Sequence, residues 1–476
     1  MTDQHVIKAD LAIIGAGSGG LSVAAGAAQM GAKVVLIEKG KMGGDCLNYG
    51  CVPSKAMIAA GEAAEAVRAS GKFGVNGHEP AIDFAKVNGH VHDVIAGIAP
   101  HDSVERFEGL GVQVIQAAGR FVGPTEIEAD GQRIKARRFV IATGSSAFIP
   151  PIPGLDDVPF LTNETIFSLT DAPEHLIVVG GGPIGIEMAQ AHRRLGIKVT
   201  LVEGAAIMSK DDPDAVAVVR KRLIDEGIAL HECAKVESVV PRGNGVSVLV
   251  SQDGRSAPID GSHLLLAVGR RPNVDGLGLE AARIEHSPRG INVDARLRTS
   301  NKKIFAIGDV AGGYQFTHMA GYHGGIVIKN ALFNLPAKVD ERAVPWVTYT
   351  DPELAQVGLS AAEAAEKGLL VRASSFDFAG NDRANAERAT EGFVKAVVGK
   401  RGKILGATIV GRHAGELILP WVLAVQKGLK IADMASLIAP YPTLGEASKR
   451  AAGAYYTPAL FSGRTRSIVG LMQRLP

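Results

Sequence analysis

The sequence predicts an α/β protein whose main body is two Rossmann-like, doubly wound units. Three observations predict it. Residues 9–38 (ADLAIIGAGSGGLSVAAGAAQMGAKVVLIE) run strand, glycine turn, helix, strand, with Gly15, Gly17 and Gly20 spaced GxGxxG. Residues 176–203 (LIVVGGGPIGIEMAQAHRRLGIKVTLVE) repeat that order with Gly180, Gly182 and Gly185. In both copies a carboxylate, Glu38 or Glu203, ends the second strand 18 positions after the third glycine. One such motif is weak evidence; two complete copies are strong.

Each residue type in the repeat has a physical task. The first glycine makes the tight turn, the second lets a pyrophosphate approach the backbone, and the third lets the helix pack on its strand. The helix N-terminus then faces the phosphates. The terminal carboxylate can accept bonds from two ribose hydroxyls. Glu203 would repel a 2′-phosphate, so the second unit predicts NADH rather than NADPH. His192, Arg193 and Arg194 lie upstream on the helix and are expected on a solvated face. Further glycine turns follow apolar strands at Thr143-Gly144 and at Gly269, and Asp309 follows another in IFAIGDV, placed to bond a ribose or polyol hydroxyl. The proline-rich FIPPIPG at 148–154 reads as a linker, and the segment after RRPN reads as a second crossover between domains.

Composition limits the function classes. At 476 residues the chain is too long for one ordinary domain. A hydrophobic content of 46% with 21% charged residues is that of a globular protein. The net charge of +2 makes no case for nucleic acid or an anionic membrane as partner. No signal peptide and no membrane-spanning run are read, and three cysteines fit a reducing compartment, so a cytoplasmic protein is expected. The final RTRSIVGLMQRLP is a short basic amphipathic patch, expected as a docked helix or frayed tail rather than a membrane anchor. His90, His92 and His101 show no zinc spacing and are expected on a solvated face, so no metal site is predicted.

Two of the three cysteines, Cys46 and Cys51, lie in GGDCLNYGCVPSK. In an ideal helix their Cα atoms would stand roughly 8.6 Å apart, beyond the ~7 Å reach of an unstrained bridge. A bond between them therefore needs a distorted helix and would be easily reduced. A helix N-terminus and Lys55, one turn after Cys51, would both lower a thiol pKa.

These motifs resemble the pyridine nucleotide–disulfide oxidoreductases, the class of dihydrolipoamide dehydrogenase, glutathione reductase and mercuric reductase. The resemblance extends through ATG, AVGRRPN, AIGDV, VTYTDPELAQVG and YPTLGE, nearly the whole chain. It implies an FAD domain in two parts (1–152 and 274–342), an inserted NAD domain (153–273) and a C-terminal α+β interface domain (343–476) that forms a homodimer with a shared active site. It further implies that Gly15, Gly17, Gly20, Glu38, Thr143, Gly144 and Asp309 hold FAD, and that Gly180, Gly182, Gly185, Glu203 and Gly269 hold the nicotinamide dinucleotide. Cys51 would be the thiol against the flavin, Cys46 the interchange thiol that meets a small-molecule acceptor, and Lys55 would pair with Glu187 beside the flavin.

One position departs from the pattern. Disulfide-reducing members carry a His–Pro with a Glu five residues after the His; here the run is Tyr441-Pro442-Thr443-Leu444-Gly445-Glu446. Imidazole titrates near ~6.5 but phenol about three units above neutral pH, which forfeits much of the ~10²–10⁴-fold help that a matched acid–base group gives. The expected enzyme passes electrons from NADH through flavin and Cys46–Cys51 to a disulfide, quinone or other electrophile. Mercuric or other metal-ion reduction, dihydrolipoamide dehydrogenation and a non-catalytic redox switch are the alternatives. The C-terminal cysteine pair usual in mercuric reductases has no counterpart in SIVGLMQRLP. A transhydrogenase would have no need of the cysteine pair.

Overall fold

A computed structural model describes residues 6–474. The polar start, Met1–His5, and the last two residues of the C-terminal patch, Leu475 and Pro476, lie outside the described residues.

The first unit is a parallel sheet with strand order Val112–Ile115, Val34–Ile37, Val6–Ile14, Gln132–Ile141. The far edge of the long Gln132–Ile141 strand is shared. Its start pairs antiparallel with Glu126–Ala129, and its end pairs parallel with Ile304–Ala306, 163 positions on from Ile141 by the register Ile304 to Phe139, Phe305 to Val140 and Ala306 to Ile141. The strands are continuous apolar runs because both faces are covered, as a parallel sheet requires. Leu11, Ile13, Leu36 and Val140 pack on the Ser18–Gln29 helix side; Ala12, Ile37, Phe139 and Ile141 pack on the other.

The second unit is a four-stranded parallel sheet ordered Ala229–His231, Lys198–Val202, His175–Val179, His263–Leu266. An antiparallel sheet of three strands, residues 235–261, forms the crossover into its last strand. The chain enters and leaves this unit side by side: Ser145–Ala147 pairs antiparallel with Arg270–Pro272. This ribbon ends where the proline-rich 148–154 begins and takes in the start of RRPN.

Residues 345–411 form a five-stranded antiparallel sheet ordered Pro345–Thr348, Glu353–Gly358, Ile404–Gly411, Phe393–Gly399, Leu370–Asp377. It is packed by helices whose core includes the fully buried Trp421. No described helix is long and apolar enough to cross a membrane, and no cluster of metal-ligating side chains occurs among the described residues.

One expectation needs correction. The His192–Arg194 segment is not a solvated face: His192 is fully buried and Arg194 nearly so. The reason is packing of the Pro183–Arg194 helix on Cys51–Ala69, where Gly61 leaves room for the Ala191 backbone. Arg194 then reaches Glu226 at 2.6 Å and Asp351 at 2.8 Å, a buried cation held by two carboxylates.

Candidate active site

The two glycine turns have the same construction. A Cβ on Gly20 would lie 1.9 Å from the Gly15 carbonyl oxygen, and one on Gly185 would lie 1.9 Å from that of Gly180. A Cβ on Gly15 or Gly180 would sit 2.3 Å from the Ala142 or Ala267 carbonyl, with φ of +104° and +115° that strain any side chain. Gly17 and Gly182 differ from these: a Cβ on Gly182 meets nothing within 4 Å, and one on Gly17 meets only the Gly44 Cα at 4.0 Å. The close packing is at the first and third glycines, and the space for a ligand is at the second.

The two carboxylates also match. Glu38 accepts from the Ala16 N–H at 2.6 Å and the Gly40 N–H at 2.7 Å; Glu203 accepts from the Gly181 N–H at 2.5 Å and the Ala205 N–H at 2.8 Å. Each carboxylate is thereby held over its own turn, and two of its roughly four lone-pair sites remain for ribose hydroxyls.

Both turns open into one cleft of about 2550 Å³, whose walls also carry Cys46, Cys51, Lys55, Glu187, Thr143, Gly144, Gly269 and Asp309. The room at Gly17 and Gly182, the oriented carboxylates and this volume fit two dinucleotides meeting end to end. Thr143 and Asn273 exchange two hydrogen bonds, Oγ1 to the Asn273 carbonyl at 2.8 Å and Nδ2 to the Thr143 carbonyl at 2.9 Å. They clamp the ribbon between the units. Asp309 accepts from Ser145 Oγ at 2.5 Å, and burial pushes its carboxyl pKa up against the pull of Ser145 and Arg270.

The cysteine segment lies across the first turn. Gly43 and Gly44 take left-handed φ of +84° and +58°, and a Cβ on Gly44 would come within 2.7 Å of the Gly17 Cα. Cys46 lies in the short helix Gly44–Asn48, and Cys51 begins the helix Cys51–Ala69. The distortion expected between them is a complete break at Tyr49-Gly50, where Gly50 has φ −126° and ψ −112°. Cys51 is open to the cleft and Cys46 half-buried; both are free thiols here.

The two sulfurs are electrostatically unequal. The Cys51 thiol is held down to about 6, chiefly by the hydrogen bond from Cys46; burial opposes this, while Thr317 and Lys55 assist. Thr317 Oγ1 stands 3.3 Å from Cys51 Sγ at the start of the helix Thr317–Ala331. The Cys46 thiol is pushed up by its bond to Cys51 and by burial. The two thiols are thus pushed in opposite directions, Cys46 up and Cys51 down, and the helix N-terminus at Cys51 favours negative charge there.

Lys55 Nζ bonds Glu187 Oε2 at 2.8 Å, joining the cysteine helix to the second unit. The other Glu187 oxygen accepts the Tyr349 N–H at 2.9 Å, and Lys55 Nζ lies 4.2 Å from the Tyr349 ring centroid. Tyr349, Thr317, Ser145, Asn273 and Arg270 were not assigned roles from sequence. Tyr349 lay inside a stretch already noted, VTYTDPELAQVG, and Arg270 and Asn273 inside another, AVGRRPN, but nothing local marks Thr317 or Ser145.

Tyr441 and Glu446 are not in the cleft. Tyr441 is 70% exposed, and its hydroxyl donates to Asp382 Oδ2 at 2.8 Å, which pushes the phenol further above its ordinary range. Glu446 opens the helix Glu446–Ala454 and lies 3.7 Å from Arg450.

Comparison with known proteins agrees with this architecture. Residues 9–324 match the family model "Pyridine nucleotide-disulphide oxidoreductase", and residues 344–452 match its dimerisation domain. The chain is 37% identical over 454 residues to a mercuric reductase of Bacillus cereus (95% of this chain, 72% of that one). It is 38% identical over 457 residues to a dihydrolipoyl dehydrogenase of Geobacillus stearothermophilus (94% and 96%). Among solved structures it superposes on LpdA from Mycobacterium tuberculosis with TM-score 0.86 and 30% identity, covering 94% of this chain and 99% of that one. It also superposes on the Cu(II) complex of the HOCl-induced flavoprotein disulfide reductase RclA from Escherichia coli, with TM-score 0.84 and 27% identity over 92% and 98%. With both nucleotide turns, the cysteine pair and a dimerisation domain in the family order, the chain belongs to the class I pyridine nucleotide–disulfide oxidoreductases, FAD-dependent enzymes that use NAD(P)H.

Proposed function

We propose that this enzyme carries electrons from NADH to Cys46–Cys51 and on to an acceptor whose reduction needs no strong acid–base partner. The observation that carries the reading is the cysteine pair set across the first glycine turn and tied through Lys55–Glu187 to the second unit. FAD held by the first unit supplies a carrier that takes an electron pair from a nicotinamide and gives it to a disulfide.

The protein's own groups do the rest. Glu203 selects against a 2′-phosphate, so NADH is the donor. Glu187 holds Lys55 beside the cysteine helix, where its charge and Thr317 keep Cys51 as thiolate. Reduction opens the Cys46–Cys51 bond with two electrons and leaves the proton on Cys46. To attack a disulfide, Cys46 must lose that proton and form a mixed disulfide as the first thiol leaves. Cys51 then attacks the Cys46 sulfur, the second thiol leaves, and the bond closes.

In a homodimer with a shared site, Tyr441 and Glu446 of the partner subunit would face Cys46. A phenol donating to Asp382 is a poor base near neutral pH, so the first of those steps is slow. Acceptors that take electrons without a protonated thiol leaving group, such as a quinone or a thiophilic metal ion, avoid it. Steady-state turnover with NADH against lipoamide, a water-soluble quinone and Hg²⁺ with excess thiol tests the proposal. A quinone or Hg²⁺ turned over faster than lipoamide supports it; lipoamide as the fastest acceptor contradicts it.

A further inference from the structure

The segment after residue 452 lies beyond both family matches and carries a surface that the redox reading does not use. It contains the helix Gly463–Met472, capped by Ser462, whose Oγ accepts the Thr465 N–H at 3.2 Å. No residue of this helix is buried. Of the docked helix or frayed tail expected here, the structure shows a formed helix that buries none of its residues against its own chain. At 3.6 residues per turn, Ile468, Val469, Leu471 and Met472 share one face, whose N-terminal turn also carries Arg464 and Thr465, while Arg466, Ser467, Gln473 and Arg474 share the opposite one. The four apolar side chains are 45–66% exposed, and Leu460 and Phe461 on the preceding turn are 57% and 67% exposed. A ten-residue helix with a glycine at position 470 is marginal in water unless its apolar face is covered.

We propose that this helix adsorbs in the plane of an anionic lipid surface, its apolar face inserted at the headgroup boundary and its arginines among the headgroups. Charge decides the occupant. Residues 451–474 carry Arg464, Arg466 and Arg474 and no carboxylate. An anionic membrane meets both faces of the helix at once. This reverses the expectation drawn from net charge, which averages a local basic patch over the whole chain. It concerns peripheral adsorption, and the helix is far too short to span.

The test is co-sedimentation of the full-length holoenzyme with phosphatidylcholine vesicles and with vesicles containing phosphatidylglycerol. Pelleting should require the anionic lipid and be released by about 0.5 M salt, where screening is nearly complete. The double substitutions Ile468→Glu with Leu471→Glu, and Arg466→Glu with Arg474→Glu, should each lower the bound fraction at least ~10-fold, as loss of either binding term predicts. Flavin content and NADH oxidation should be unchanged in both. Equal recovery in the supernatant with and without anionic lipid overturns the proposal. So does a shift of either double variant to a smaller oligomer in size-exclusion chromatography with light scattering, which would make the helix a subunit contact.

Discussion

The two glycine turns share their sequence pattern, backbone packing and carboxylate bonding, and differ in what lies over them. The first is roofed by the cysteine segment: Gly43 N–H bonds the Ala16 carbonyl at 2.9 Å and Gly44 packs on Gly17. The second has open space at Gly182. The same local fold can thus hold a resident group at one end of the cleft and an exchangeable one at the other. The roof also sets the redox sulfurs beside the resident group. Duplication supplies two matched turns, and the cysteine segment packed on the first is what sets them apart.

Five substitutions break or sharpen that comparison, in descending order of effect. Cys46→Ser should lower NADH-dependent disulfide reduction on the order of 10³-fold or more, because a hydroxyl cannot carry the exchange. NADH oxidation by a one-electron dye should survive, and loss of both activities would mean that the roof is merely structural.

Gly185→Ala puts a methyl 1.9 Å from a carbonyl and should destabilise the protein by about 1–3 kcal/mol or more, read by denaturant midpoint. Gly182→Ala has no protein neighbour to meet, so the midpoint should hold. Its cost should appear as a ~10–100-fold rise in the NADH KM, equivalent to about 1.4–2.8 kcal/mol of binding. An unchanged KM would remove Gly182 from the nucleotide path.

Tyr441→His restores a group that titrates near neutrality and should raise lipoamide turnover at saturating substrate by about 10-fold or more. An unchanged rate would make Tyr441 a packing residue. Lys55→Met removes one of several influences on Cys51 and should raise its thiolate midpoint by about one unit at most. In the unsubstituted enzyme the depressed Cys51 pKa means thiolate above pH 6 and loss of thiolate absorbance as pH falls through about 6. A midpoint near the ordinary thiol value of about 8.5 would contradict the charge placement.

The turns were legible because their chemistry is local: a glycine whose Cβ would strike a carbonyl five residues back is specified within one motif. The Lys55–Glu187 pair was legible only through the family resemblance, since 132 positions separate the two residues. The rest depended on packing that no motif encodes. Arg194 read as surface because its partners, Gly61 and Asp351, come from remote segments, and His192 because it packs near Phe84, far earlier in the chain. The break at Gly50 could be required from the cysteine spacing but not located. Tyr441 was noticed for the histidine it replaces, while its bond to Asp382, 59 positions earlier, came only with the fold.

The central claim is that electrons from NADH reach Cys46 and Cys51. It is tested most directly by anaerobic reduction with one equivalent of NADH, followed by alkylation and peptide mass spectrometry. The account predicts alkylation of Cys46 and Cys51 only after NADH is added, with Cys233, an exposed free thiol, labelled in both samples. Consumption of NADH with no new label on Cys46 or Cys51 would contradict it.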